Sequence, residues 1–145
     1  MSGPTRGGDL YLVDNSVFQR LPHQAQVADA LRSFALRGLF ATCLPITLEA
    51  GHSATNGAEH TRVLDLVGAR RLLPITAEVE AQAAALQSAL WNGALVRAAG
   101  VIDLMIAATA IVHGATVLHY DADFEHIAGV SSLAHRWVVP RGTAR

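Results

Sequence analysis

The chain has 145 residues, 51% of them hydrophobic and 16% charged. That length and composition suit one domain with a single buried core and exclude a disordered segment. Eleven basic residues against twelve acidic ones leave a formal charge of −1, so no broad basic face advertises nucleic acid. All eleven basic residues are arginine, a side chain suited to bidentate phosphate contacts, although a GC-rich coding bias is the simpler account of that preference. Cys43 is the only cysteine, which excludes an intrachain disulfide and a thiolate metal cage. No apolar run reaches the ~18 residues that a membrane-spanning helix needs. Residues 1–9 are Gly-rich and polar, without the apolar stretch of a secretory leader, and read as a flexible tail. The expectation is a cytoplasmic protein that does not enter a membrane, with one domain over 10–140 and a short C-terminal tail over 141–145.

Residues 10–13 form a short apolar run that ends at an acid, Asp14, as a buried parallel strand does. Asn15 and Ser16 are N-cap residues for a helical turn stopping near Pro22. Val27, Leu31 and Phe34 recur at helical spacing, with Gly38 as a stop signal. Residues 39–44 read as a second strand containing Cys43, expected to be buried. Pro45 suits a first helical turn, so residues 46–54 should be helical. A further helix spans 58–67 and ends at Gly68, and Leu72, Leu73 and Ile75 make a brief extended piece. Thr76 is an N-cap for a long helix with Val79, Ala83, Leu86 and Leu90 on one face, closed by Asn92-Gly93. After a loop over 94–100, Leu104, Ala107, Ala108 and Ile111 line the next helix, which stops at Gly114. Residues 116–118 are a strand, 123–128 a helical turn, and 136–139 a last strand. Alternating strands and helices imply an α/β fold with a mostly parallel sheet covered by helices on both faces.

Four carboxylates fall at boundaries of these elements. Asp14 and Asp121 lie at or just past strand ends, where open parallel sheets bind ligands. Asp103 stands in a first helical turn, where the helix dipole favours an anion, and Glu49 lies in the first or second turn of its helix. One crevice can hold all four. Each also has a purely structural reading: Asp14 as a cap, Glu49 as a solvated helix charge, Asp103 as a dipole-matched residue, Asp121 as a turn acid. Convergence on one sheet edge weighs against four separate accidents. Two carboxylates about 5 Å apart repel by roughly 3 kcal/mol at an effective dielectric of ~20, so four together require cations or protons. Oxygen ligands without a His or Cys pair select Mg²⁺ or Mn²⁺ over Zn²⁺. Such ions can activate water and stabilise a leaving oxygen in phosphodiester hydrolysis.

The stretches Tyr11-Leu12-Val13-Asp14-Asn15-Ser16, Ile46-Thr47-Leu48-Glu49, Val101-Ile102-Asp103-Leu104-Met105-Ile106-Ala107-Ala108-Thr109-Ala110 and Asp121-Ala122-Asp123-Phe124-Glu125-His126-Ile127-Ala128 carry a resemblance. The chain resembles PIN-domain ribonucleases of the VapC toxin type over about residues 10–139. The resemblance implies a three-layer α/β/α sandwich, RNA cleavage with Mg²⁺ or Mn²⁺, inhibition by a small VapB-like antitoxin, and a homodimer. Carried over, Asp14, Glu49, Asp103 and Asp121 are the metal-binding and catalytic set, with Asp14 and Asp103 the most important. Products would carry a 5′-phosphate and a 3′-hydroxyl. Asp123 is the alternative fourth acid; Asp121 is preferred because Asp123 suits an N-cap. Asn15 stands where the family often has Thr or Ser, and His119 where it often has a hydroxyl. Asn15, Ser16 and Asp123 are candidates to support the ligands, although capping explains Ser16 equally well.

The seven histidines show no paired-ligand spacing, and His52, His60, His113, His126 and His135 read as surface or helix-end residues. Arg97, in the loop before Asp103, is a candidate phosphate contact, with a solvated loop charge as the simpler reading. Trp91 lies off its helix's apolar face and is expected to be partly exposed; Trp137 is expected in the core. Val27, Leu31 and Phe34 suit either a core face or an apolar groove for an antitoxin helix. Two rival readings stand beside the ribonuclease: a Mg²⁺ phosphoesterase acting on DNA or a small phosphate ester, and a PIN-fold binding module without activity.

Overall fold

A computed structural model describes residues 9–95 and 97–144; most of the N-terminal tail expected from the sequence lies outside them. The elements are β1 (Asp9–Val13), α1 (Asn15–Phe18), α2 (Ala25–Arg37), β2 (Gly38–Thr42), α3 (Leu44–His52), α4 (Gly57–Gly68), β3 (Arg71–Leu72), α5 (Ala77–Asn92), α6 (Val101–His113), β4 (Thr116–His119), α7 (Asp123–Gly129) and β5 (His135–Trp137). The five strands are all parallel, in the order β3-β2-β1-β4-β5. Chain order runs outward from β1 to β3, then returns to the other side of β1 for β4 and β5. The reversal places a topological switch point between β1 and β4.

Strand alternation divides the interior into two cores. Leu12, Ala41 and Val117 point to one face of the sheet, where α3, α5, α6 and α7 supply Ile46, Leu86, Ile106, Ala107 and Phe124. Tyr11, Val13 and Leu118 point to the other, where α1 and α2 supply Val17, Val27, Leu31 and Phe34. The result is the expected three-layer α/β/α sandwich. Leu12, Val13, Val117 and Leu118 are fully buried, each worth roughly 1.5–3 kcal/mol of transfer free energy. Among the described residues no helix is long and apolar enough to cross a membrane.

Several local readings change in three dimensions. Asp14, not Asn15 or Ser16, caps α1, its carboxylate accepting from the Ser16 N–H. Cys43 is buried but follows β2 as the N-cap position of α3. Thr76 caps α5 as expected, accepting from the Val79 N–H, yet the left-handed residue after that helix is Ala94 (φ 60°), not Gly93. Val27, Leu31 and Phe34 are core, and Phe34 also lines a surface cavity with Ala30, Arg37 and Val138. Trp91 is exposed, whereas Trp137 is only half-buried, with its indole N–H donating to Glu125 at 2.8 Å. Residues 141–144 fold back on the domain. The Tyr120 hydroxyl donates to the Ala144 carbonyl and accepts from the N–H groups of Gly142 and Ala144, and Ala144 is buried.

Gly38 shows how sequence punctuation acquires a different cause. Its φ of −167° is ordinary extended backbone, so no left-handed stop is made there. It pairs with Asp9 across β1 and β2, and a Cβ at this position would lie 2.0 Å from the Asp9 carbonyl oxygen. Close approach of two backbones, rather than helix termination, requires the glycine. Gly38→Ala should therefore destabilise the domain by about 1–3 kcal/mol, read as a lower denaturation midpoint in urea.

Candidate active site

Because β1 and β4 are parallel neighbours, their carboxyl ends open on the same edge. Asp14 leaves β1 with its N–H donating to the Leu118 carbonyl at 2.9 Å, so the ladder fixes its backbone. Its side chain is almost completely buried. Asp121 follows β4, and its Oδ1 accepts from the Asp123 N–H at 2.9 Å. Asp103 reaches the same place from the first turn of α6, behind the Gly100 N-cap. Glu49 approaches from α3. Asn15 Nδ2 donates to both Glu49 Oε1 (3.1 Å) and the Ile46 carbonyl (2.9 Å), which ties α1 to α3 and aims the carboxylate.

The acids sense one another. Burial raises the Asp14 pKa above the usual carboxylate range; bonds from Ser16 oppose the rise, and the charges of Glu49 and Asp121 add to it. Asp103 is pushed up to about 8 by burial first, then by a carboxyl hydrogen bond with Asp123, then by the charges of Asp121, Asp14 and Asp123. Carboxylate oxygens of Asp103, Asp121 and Asp123 lie within 4.8 Å of one another, a grouping that could hold a cation. Asp14 and Glu49 stand beyond that tight trio. The structure thus draws Asp14, Glu49, Asp103 and Asp121 to one edge and adds Asp123. Asp123 does not make the N-cap bond expected of it: Ala122 occupies the cap position, without a side-chain bond, and Asp121 bonds the Asp123 N–H instead.

The neighbours of the acids have defined tasks. The Ser16 hydroxyl accepts from the Tyr120 N–H at 2.9 Å, joining α1 to the segment after β4. His119 is fully buried, and burial together with His135 lowers its pKa to about 3. It is neutral, and its Nδ1 accepts from the Asp121 N–H at 3.0 Å, so its proton resides on Nε2. That N–H points at His135 Nδ1, 2.8 Å away, and the two rings stack with centroids 5.1 Å apart. His135 is therefore a structural partner, not simply a surface histidine. Nothing in the sequence around His119 signals burial beyond the apolar run that precedes it. Arg97 is exposed in the loop before α6.

These shifts set a pH signature. Folded Asp103 keeps its proton to about 8, whereas the unfolded carboxyl loses it near 3.8. The stability from Asp103 is thus present below 3.8 and disappears as pH rises through 8. Asp14 acts in the same sense. His119 acts oppositely, since its folded pKa of about 3 lies below the ordinary 6.5; its contribution is present above 6.5 and lost as pH falls through 3. The effects of Asp103 and His119 offset at mildly acidic pH and separate between 6.5 and 8. In the presence of a chelator, the melting temperature should fall across that interval, and Asp103→Asn should flatten the fall, as measured by thermal denaturation at several pH values.

Comparison with known proteins places this arrangement. The sequence model of the PIN domain matches residues 11–130. Ribonuclease VapC51 of Mycobacterium tuberculosis is 39% identical over 133 residues, covering 92% of this chain and 96% of that protein. Ribonuclease VapC21 of the same species is 38% identical over 136 residues, covering 92% and 97%. Among solved structures, VapBC2 from Rickettsia felis, bound to a DNA fragment from their promoter, shares the fold with a TM-score of 0.73 at 18% identity, covering 88% of this chain and 98% of that one. The chain belongs to the PIN-domain family, within its VapC branch.

Proposed function

We propose that this protein is a Mg²⁺- or Mn²⁺-dependent endoribonuclease toxin, neutralised by a VapB-like antitoxin. The convergence of Asp14, Glu49, Asp103, Asp121 and Asp123 on one sheet edge carries the reading. The donor set fits a hard divalent ion: the tight trio offers only carboxylate oxygens, and both ring nitrogens of nearby His119 are already engaged. Asp103, Asp121 and Asp123 would hold the ion, with Asp14 and Glu49 beside them. When bound, the ion supplies positive charge that favours ionisation of a nucleophilic water and stabilises the phosphoryl oxygens.

The chain's own groups do the positioning. Asp103 must release the proton it shares with Asp123 before both can act as ligands, which makes cation binding stronger toward pH 8. Asn15 holds Glu49 in place, Ser16 fixes Tyr120 beside Asp121, and His119 holds the Asp121 backbone. Water would add to phosphorus in line, the P–O3′ bond would break, and the departing oxygen would take up a proton. The products are a 5′-phosphate and a 3′-hydroxyl.

Full-length similarity to proteins named as ribonucleases supports RNA as the substrate class, and likeness to VapBC structures supports the antitoxin. A homodimer belongs to the same proposal. Exposed leucines on α3 and α4, including Leu44, Leu48 and Leu66, provide apolar surface for contacts between chains.

Purified protein assayed with Mn²⁺ should cleave RNA and spare DNA and nitrophenyl phosphate esters. Cleavage of DNA or the esters alone would favour the other phosphoesterase; no turnover together with no Mn²⁺ binding by calorimetry would favour an inactive module. Asp14→Asn and Asp103→Asn should each abolish cleavage while the melting transition persists. A folded Asp14→Asn protein with undiminished cleavage would refute the assignment. Asn15→Ala, which frees Glu49 without removing a ligand, should lower cleavage roughly 10–100-fold.

A further inference from the structure

An acidic centre that cuts a polyanion needs cationic groups nearby to hold the strand against it. The net charge of −1 means these must be local. Two cavities of about 490 Å³ each adjoin the carboxylates, and each contains arginine. One abuts Asp121 and is lined by Ser16, Gln19, Arg20, Tyr120, Trp137 and Arg141 among others. The other abuts Glu49 and Asn15, with Phe18, Gln19, Glu59 and Arg70 in a largely apolar wall.

Short helix α1 separates the two. At 100° per residue, Asn15 and Phe18 project toward one cavity, and Ser16 and the following Arg20 toward the other. Gln19 falls between these directions, is exposed, and lines both. The two cavities and the exposed Gln19 rim between them make a path across α1, the helix that Asp14 caps.

The arginines in these cavity walls are held against aromatic rings. Arg70 is half-buried over the Phe18 ring, 3.8 Å from its centroid. Burial lowers its pKa to about 10, which leaves it charged at neutral pH. Arg20 lies over Tyr120 at 4.5 Å, and its Nη1 donates to the Ser16 carbonyl at 2.7 Å. Arg141 sits beside Trp137, with only an exposed 3.6 Å pair to Glu125. Guanidinium groups set over aromatic rings are positioned without an ion pair and keep their charge. Tyr120, Trp137 and Phe18 add aromatic surface beside the charges, the combination used for single-stranded nucleic acid.

We infer that the RNA strand crosses α1 in this groove, with Arg70 holding a phosphate on the Glu49 side of the scissile bond and Arg20, assisted by Arg141, holding one on the Asp121 side. This rests on the ribonuclease reading and extends it to the binding residues. Because α1 with its side chains is about 10–12 Å across, the two contacts bracket a stretch of a few nucleotides. The contacts are to phosphate, so they set grip and register without choosing sequence.

The test uses a fluorescein-labelled single-stranded RNA, bound to Asp14→Asn protein so that it is not cut, with anisotropy read between about 50 and 200 mM salt. Arg20→Gln and Arg70→Gln should each weaken binding and reduce the slope of log K against log salt by about 0.7, the value of one lost single-strand phosphate contact. In the cleaving protein both should raise KM more than they lower kcat. Arg32→Gln removes the same charge from α2, which lines neither cavity, and should change nothing. Gln19→Glu, exposed on the shared rim, should weaken binding without touching the core; it decides the matter if an arginine variant fails to fold. An unchanged salt slope in a folded arginine variant, or undiminished binding by Gln19→Glu, overturns the inference. So does weaker binding of co-expressed antitoxin with RNA binding intact, which would make the groove a protein-docking surface. Failure of unmodified protein to cut any RNA would instead count against the ribonuclease reading, and is seen before any groove variant is made.

Discussion

Carboxylates brought within about 5 Å repel by roughly 3 kcal/mol per pair at an effective dielectric near 20, and this chain holds five at the end of a parallel sheet. The repulsion is visible in the acids themselves. Asp103 retains its proton to about 8 and shares it with Asp123, and buried Asp14 also ionises reluctantly. Hydrogen bonds from Ser16, Asn15 and the Asp123 N–H offset part of this repulsion, and the scaffold must hold the acids together against the rest. The switch point between β1 and β4 brings two strand ends together, while α6 and α3 deliver acids from opposite sides of the sequence.

The stabilisation comes from burial elsewhere. Both sheet faces are covered, so the central strands cannot slide without moving fully buried Leu12 and Val13 out of opposite cores. Polar ties then set the site's finer geometry. Asn15 links α1 to α3, Ser16 links α1 to the chain after β4, and the His119–His135 pair fixes the backbone at Asp121. None of these residues needs to carry charge. A neutral, buried His119 accepts from the Asp121 N–H while its other ring nitrogen is engaged by His135.

Charge is also distributed by position instead of by total. A chain with nearly balanced acids and arginines concentrates the acids at the sheet edge and sets stacked arginines on either side of α1. Contacts with Tyr120 and Phe18 hold Arg20 and Arg70 in the cavity walls. The same short helix therefore presents the Asp14 cap and divides the flanking groove.

Much of the architecture was legible from local pattern. Apolar runs ending in acids identified β1 and β4, helical spacing identified α2, α5 and α6, and their alternation implied the parallel sheet. Asp14, Glu49, Asp103 and Asp121 could be named because strand ends and first helical turns are local features with known directions. The cap role expected of Asp123 falls to Ala122, since cap preference describes a backbone position and not where the carboxylate points. Val27, Leu31 and Phe34 illustrate the same limit: periodicity marks an apolar face, but only packing against β1 decides that it is core. The ties from Asn15 to Glu49 and from Ser16 to Tyr120 span 34 and 104 residues, and the burial of His119 depends on β5 and α7 closing over it. The sequence by itself determined the elements and the supply of acids, because both follow short-range rules of period and capping. Tertiary structure alone decided which acids share a proton, which histidine is buried and which arginines line the groove, because those depend on distances between segments remote in the chain.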